Sequence, residues 1–262
     1  MVLRLFCYVL IKQKMPGLLS IWPLLFILPC CTIRAQDFMA DSTFYQKALS
    51  NTRAQYLKNI GANAGIYQGT AYDHYWNKVM GNPFFLKEGL VPGKILYDGT
   101  LYENIPIAYD MLKEVLVTKS FSKSTDISLV GERVAYFSID SHDFVRLVKD
   151  STQSNLPNTG FYERLYLGDI SVFEKREKKI KQSLKAEDNI TRFIEYNYYY
   201  VQKDDKFYPV ESESDLLNIF KDQRTEIRKF LNRREMNYKK DPSGVFVRTA
   251  AYYSNYKNRN AQ

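Results

Sequence analysis

The spacing of apolar residues changes from segment to segment along the chain, and the changes mark out its elements. At the front, Leu18-Leu19-Ser20-Ile21-Trp22-Pro23-Leu24-Leu25-Phe26-Ile27-Leu28 is an apolar run among Arg4, Lys12, Lys14 and Arg34, with no acid before Asp37. A helix needs about 20 apolar residues to cross a bilayer. This run is shorter and is interrupted by Pro23, and the small residue Ala35 follows it, so 1–35 reads as a cleaved signal peptide. A start at Met15 gives a tighter leader than one at Met1.

Beyond the leader the spacing becomes helical. Ser42 or Thr43 is placed to cap a helix carrying Phe44, Ala48, Tyr56, Leu57 and Ile60, and Gly61 to end it, which gives an N-terminal helical segment over 36–64. From 65 to 210 the period shortens to two and the texture is tyrosine-rich and β-branched. Ile95-Leu96-Tyr97-Asp98-Gly99-Thr100-Leu101-Tyr102 predicts a hairpin, because Asp-Gly accepts the positive φ angles of a two-residue turn. Pro106 cannot donate to a ladder, so the strand through Ile105, Ile107 and Tyr109 is expected at an edge, or to begin late.

Ile127 to Ile139 reads as strand, with Val134, Tyr136 and Ser138 on one side and Ala135, Phe137 and Ile139 on the other. Phe144 to Val148 and Phe161 to Leu167 follow, separated by the polar stretch Ser151 to Gly160. A second hairpin is expected where Tyr196 to Val201 turns at Lys203-Asp204-Asp205-Lys206 into Phe207 to Val210. Glu174 to Asp188 fits either a helix or a long charged strand. Over 211–262 the pattern is helical again. Ser212 with Asp215, or Ser214, caps a helix broken near Lys221-Asp222, and Asp241-Pro242 opens a last one. The predicted fold class is α+β: an N-terminal helix, a curved antiparallel β-sheet of roughly eight to ten strands in a half-barrel-like meander, and a C-terminal helical segment packed on the sheet. The charged helices at the end, and the absence of a steady ten-residue apolar rhythm, argue against a transmembrane barrel.

Composition sharpens this picture in two ways. Cys7, Cys30 and Cys31 all lie in the leader, so the mature chain has no disulfide, thiol nucleophile or cysteine-held metal. Pro29 before Cys30, and Cys30 before Cys31, are poor matches to a lipidation site, which favours soluble release over a lipid anchor. Of the 37 basic residues four lie in the leader, and of the 29 acidic residues none does, which lowers the net charge from +8 to +4 on cleavage. Taking 35 leader residues from 262 leaves 227, enough for a sizeable core. A mildly basic exported chain is a poor nucleic-acid binder.

Candidate chemistry is sparse. His74 and His142 share no metal-ligand spacing, no cofactor motif is present, and Ser141-His142-Asp143 lacks the context of a nucleophile elbow and suits a turn. Asp98, Glu103, Asp110, Asp140 and Asp143 supply acids for a paired-carboxylate hydrolase. Lys175, Arg176, Lys178, Lys179, Lys181 and Lys185 suit phosphate or acidic lipid headgroups, but the interleaved Glu174 and Glu177 favour a solvated face. The most specific signal is aromatic: 21 tyrosines, only Tyr8 of them in the leader. Tyr67, Tyr72, Tyr75 and Trp76 are the candidate ligand-binding residues, placed to stack on sugar or peptide, or else to pack a twisted sheet.

Gly81-Asn82-Pro83-Phe84-Phe85, Gly93 to Gly99, Tyr102-Glu103-Asn104-Ile105-Pro106 and Gly160-Phe161-Tyr162 together resemble a family of exported, signal-peptide-bearing envelope proteins of Gram-negative bacteria that carries no known activity. The order of helix and meander is also similar to the half-barrels of periplasmic lipoprotein carriers. The resemblance implies a periplasmic or outer-membrane-associated address and an envelope protein, glycan or lipid as partner. The expected role is non-catalytic binding or scaffolding, with an envelope hydrolase as the alternative. If the leader is cleaved as expected, mass spectrometry of the native product finds an N-terminus near Gln36 without an acyl group. An acylated Cys30 or Cys31 contradicts it.

Overall fold

A computed structural model describes residues 42–75, 79–149, 156–182 and 190–260. The leader, Trp76 and Lys185 lie outside them. The chain divides into two units, 1–50 and 51–262. Of the first, only the opening turns of helix α1 (Ser42–Ile60) are described; the second carries everything else. Gly61, at φ +52, ends α1, and two short 3-10 turns, Gly61–Asn63 and Gly65–Tyr67, lead into the sheet.

The sheet has twelve strands among the described residues: β1 (Thr70–Ala71), β2 (Val79–Met80), β3 (Val91–Tyr97), β4 (Thr100–Asp110), β5 (Val115–Lys119), β6 (Asp126–Ser128), β7 (Val134–Ile139), β8 (His142–Leu147), β9 (Gly160–Tyr166), β10 (Ser171–Gln182), β11 (Thr191–Lys203) and β12 (Lys206–Val210). Their order is β1-β6-β5-β4-β3-β7-β8-β9-β10-β11-β12, and β2 lies beside β11. All pairs are antiparallel except β2 with β11, which is parallel. Helices α2 (Glu213–Ile219), α3 (Arg224–Arg233) and α4 (Pro242–Asn260) follow, so the α+β prediction holds. Strand β10 resolves the ambiguous stretch from Glu174 as strand up to Gln182; residues 183–189 lie outside the description.

Local chemistry sets each turn. Asp98 and Gly99, at φ +47 and +72, make the turn between β3 and β4, and Asp204 and Asp205, at +50 and +58, make that between β11 and β12. The Ser212 hydroxyl accepts the Asp215 N–H at 3.2 Å and caps α2, and Asp241 Oδ1 accepts the Gly244 N–H at 2.9 Å at the start of α4. The chain breaks between α2 and α3 at the 3-10 turn Lys221–Gln223, as the sequence implies.

Two bulges decide which residues reach the core. Partners Lys94↔Glu103 and Gly93↔Ile105 leave Asn104 unopposed at φ +56, so Tyr102 and Ile107, five positions apart, both turn inward. On β7, Tyr97↔Val134 and Leu96↔Tyr136 leave Ala135 unopposed. The simple alternation expected over 134–139 is thereby corrected, because Val134 joins Phe137 and Ile139 in the core. The strand expected from Ile127 is also split, by a 3-10 turn at Gly131–Arg133.

Pro106 is not at an edge, since β4 lies between β3 and β5. It stands opposite Pro92, and the ladder to β5 begins only at Ile107 while that from β3 to β7 begins at Gly93. Two residues without N–H groups thus face each other, and each falls just outside the ladder on its strand's other side. Gly93 is required there, because a Cβ would come within 2.5 Å of both Ile107 Cδ1 and Ser138 O.

Register assigns the cores to faces. Ile95, Phe137, Phe144 and Phe161 gather with Tyr102 and Tyr109 on one face of β3–β9, with Phe137 and Phe144 stacked at 4.6 Å. On the same face, at the β9–β12 end, Val172, Val201 and Val210 pack under Leu217, Phe220 and Phe246 of the helical segment. Tyr162, Phe173, Tyr200 and Phe207 form a smaller core on the opposite face. The Lys178 N–H donates to the Met111 carbonyl at 3.2 Å and brings β10 against the end of β4. Substituting Gly99 by Val tests the first hairpin. No atom lies within 4 Å of the new Cβ, so the cost comes from the backbone alone, and thermal melting should show a loss of about 1 kcal/mol or more.

Candidate functional site

Two of the nominated aromatic residues meet on an acid. Asp110, at the end of β4, is fully buried. Its Oδ2 accepts the hydroxyls of Tyr72 and Tyr75 at 2.8 and 2.9 Å, and its Oδ1 accepts the N–H groups of Leu112 and Lys113 at 2.8 and 3.0 Å. Four donors satisfy the group, and the last two also shape the turn into β5. Burial, with Asp110 beside them, holds both tyrosines far above their ordinary pKa, so they remain donors. Lys113 Nζ lies 4.9 and 4.5 Å from the two ring centroids and donates to the Asp73 carbonyl at 2.5 Å. The Tyr75 ring also meets Phe193 edge-on at 5.5 Å. Tyr67 stands apart, half-buried against the first core and 5.4 Å from Phe121.

A second knot lies between the two large cores. Glu163 and Glu174 are direct partners on β9 and β10, and their side chains are 5% and 1% exposed. Arg176 bridges them, Nε to Glu163 Oε2 at 2.6 Å and Nη2 to Glu174 Oε2 at 2.9 Å, and Nη1 reaches Glu195 Oε1 at 3.5 Å. Its guanidinium carbon lies 5.5 Å from the Phe85 ring centroid. His142 Nδ1 is 2.5 Å from Glu163 Oε1, and Ser243 of α4 brings its hydroxyl within 3.4 Å of Glu174 Oε2 and 3.2 Å of Tyr199 Oη. Glu174 Oε1 is buried with no hydrogen-bond partner among the described residues, and burial raises the Glu174 pKa, against the opposing pull of Arg176.

These residues revise the expectation for the basic cluster. Lys175 is buried, paired with Glu114 and 5.0 Å from the Tyr162 ring centroid, and burial lowers its pKa. Lys178 Nζ holds the carbonyls of Asn82 and Phe84 at 3.0 and 2.6 Å. The first half of the cluster is therefore structural, and of its described members only Lys179 and Lys181 lie on an exposed face.

The other nominated acids do not converge. Asp98 sits in its turn 3.5 Å from Arg133, Glu103 pairs with Lys94 at 3.0 Å, and Asp140 occupies the β7–β8 turn at φ +53. Asp143 accepts from Tyr136 at 2.6 Å. His74 approaches Asp126 at 3.3 Å, and no group of three metal-ligating side chains occurs among the described residues. The convergent pair, Glu163 with Glu174, was not nominated. Only the register of β9 against β10, which sequence spacing does not disclose, puts those acids side by side.

No protein-family model, curated protein or solved structure matches this chain. No described helix is long and apolar enough to cross a membrane.

Replacing Glu174 by Gln isolates its titration. A carboxyl with a raised native pKa contributes stability that is complete below the ordinary value of 4.5 and is lost as pH rises through the native value. The variant lacks that loss, so its urea midpoint relative to the parent should rise between pH 4 and pH 7. A relative midpoint that falls over this window means that Arg176 outweighs burial.

Proposed function

We propose that this is a non-catalytic exported protein that binds or scaffolds at the cell envelope. One observation carries the reading: the place where two acids converge is filled by the chain's own guanidinium. Arg176 occupies the span between Glu163 and Glu174, where a hydrolase needs a substrate bond and a water. A guanidinium held on two carboxylates engages one oxygen of each and blocks the space between them, although its single charge offsets only one of the two acids. A surface groove of about 480 Å³, lined by Tyr208, Pro209, Asp215, Asn218, Ile219 and Lys221, lies between β12 and α2 and includes none of these residues. The leader-like front and the motif resemblance support the envelope address.

A second reading keeps the hydrolase, on the ground that Glu174 has a raised pKa and an unpartnered buried oxygen beside Glu163, the environment of a general acid. His142→Ala and Glu163→Gln separate the two. At matched envelope abundance both variants should complement the deletion phenotype within twofold of the parent. Loss of complementation in both, with unchanged melting curves, favours the enzyme.

A further inference from the structure

The ribbon formed by β10 and β11 extends past its last β9 partner, Glu174↔Glu163. Beyond that point its register puts Glu177, Lys179 and Lys181 on one face with Tyr198, Tyr196, Ile194 and Arg192. Lys179, Lys181, Arg192 and Tyr198 are exposed. Lys179 Nζ lies 5.3 Å from the Tyr196 centroid and 5.9 Å from that of Tyr198, and Lys181 Nζ lies 5.2 Å from Tyr196. The acid on this face, Glu177, is 3.6 Å from Lys179 and offsets one of three cations. Lys181 and Arg192 stand directly opposite each other. Like charges so paired destabilise a sheet, and among the described residues no acid bridges them.

We propose that this face binds an anionic lipid surface. The inference rests on the envelope reading above and specifies its ligand. Lys179 and Lys181 follow each other along one face of β10, about 7 Å apart, and Arg192 faces Lys181 from β11, so the cations are spread over a strand face rather than around a concavity. That arrangement suits a sheet of headgroups better than one enclosed phosphate. The tyrosines between them have the apolar ring and polar tip that settle at headgroup depth. Each exposed cation near an anionic bilayer strengthens binding by about fivefold.

The test is co-sedimentation of the full mature protein with vesicles of phosphatidylglycerol in phosphatidylcholine, compared with phosphatidylcholine alone. Binding should require the anionic lipid and fall as salt rises. Lys179→Gln, Lys181→Gln and Arg192→Gln together should weaken it on the order of a hundredfold. The matched set Arg224→Gln, Arg228→Gln and Lys257→Gln, on exposed helix positions elsewhere, should leave it within twofold. Equal binding to neutral vesicles, insensitivity to salt in the parent, equal loss in the matched set, or release by millimolar inorganic phosphate overturns the proposal. Complementation keeps the two ideas separate. A ribbon variant that loses vesicle binding yet complements fully leaves the lipid contact standing and removes the envelope-binding role, whereas a parent that complements but ignores anionic vesicles removes the lipid contact alone.

Discussion

The guanidinium of Arg176 is the interaction on which the described fold depends most. Adjacent strands place Glu163 and Glu174 opposite each other on a buried face, where two like charges would repel and each carboxylate costs several kcal/mol to desolvate. One side chain answers both, reaches Glu195 on β11, and lies over Phe85. His142 from β8 and Ser243 from α4 complete the contacts. The seam between the strand core and the helix-covered core is therefore polar and directional, which fixes the register where apolar packing alone tolerates a slip. A neutral side chain in place of Arg176 leaves two uncompensated carboxylates, a cost on the order of 3 to 5 kcal/mol.

Asp110 does at the end of β4 what Arg176 does at the seam. It gathers Tyr72 and Tyr75, which are distant in sequence, onto one buried carboxyl. Phe85 N–H to Tyr109 O at 2.8 Å and Met111 N–H to Pro83 O at 3.0 Å hold the neighbouring segment against the same strand end. With their hydroxyls committed to Asp110, these tyrosines present little polar surface, and the aromatic side chains left exposed among the described residues are Tyr45, Tyr56, Phe121 and Tyr198.

Local signals made much of the fold legible. Gly61 as a helix stop, Asp98-Gly99 and Asp204-Asp205 as turns, Ser212 and Asp241 as caps, and the breaks in apolar period all act within a few residues of themselves. What the sequence concealed was non-local. A bulge shifts the face of everything after it, so Asn104 and Ala135 altered the inside and outside of two strands without altering their composition. Pro106 sits inside the sheet rather than at its edge because a proline is harmless there when it stands just past a ladder's end, and ladder ends depend on the partner strand. Arg176 and Lys178 looked like solvated charges because their partners, Glu163 and the carbonyls of Asn82 and Phe84, lie on other strands or loops. Tyr72 and Tyr75 share a partner, Asp110, that lies 38 and 35 positions away, so their spacing alone does not disclose it.

The sheet does not close on itself, and its two margins are unlike the strands between them. One is β1, two residues long; the other is β12, five residues that include Lys206 and Pro209. A margin that short, or one bearing a lysine and a residue without an N–H, offers a poor template on which a strand from a second molecule can grow. The outer side of β11 is likewise shared by β2 at one end and β12 at the other, leaving only residues 193–198 without a ladder partner there. Strand addition is therefore disfavoured at β1 and β12, and the longer unpaired edge lies on the β10–β11 ribbon, where charged residues such as Lys179 and Lys181 punctuate it.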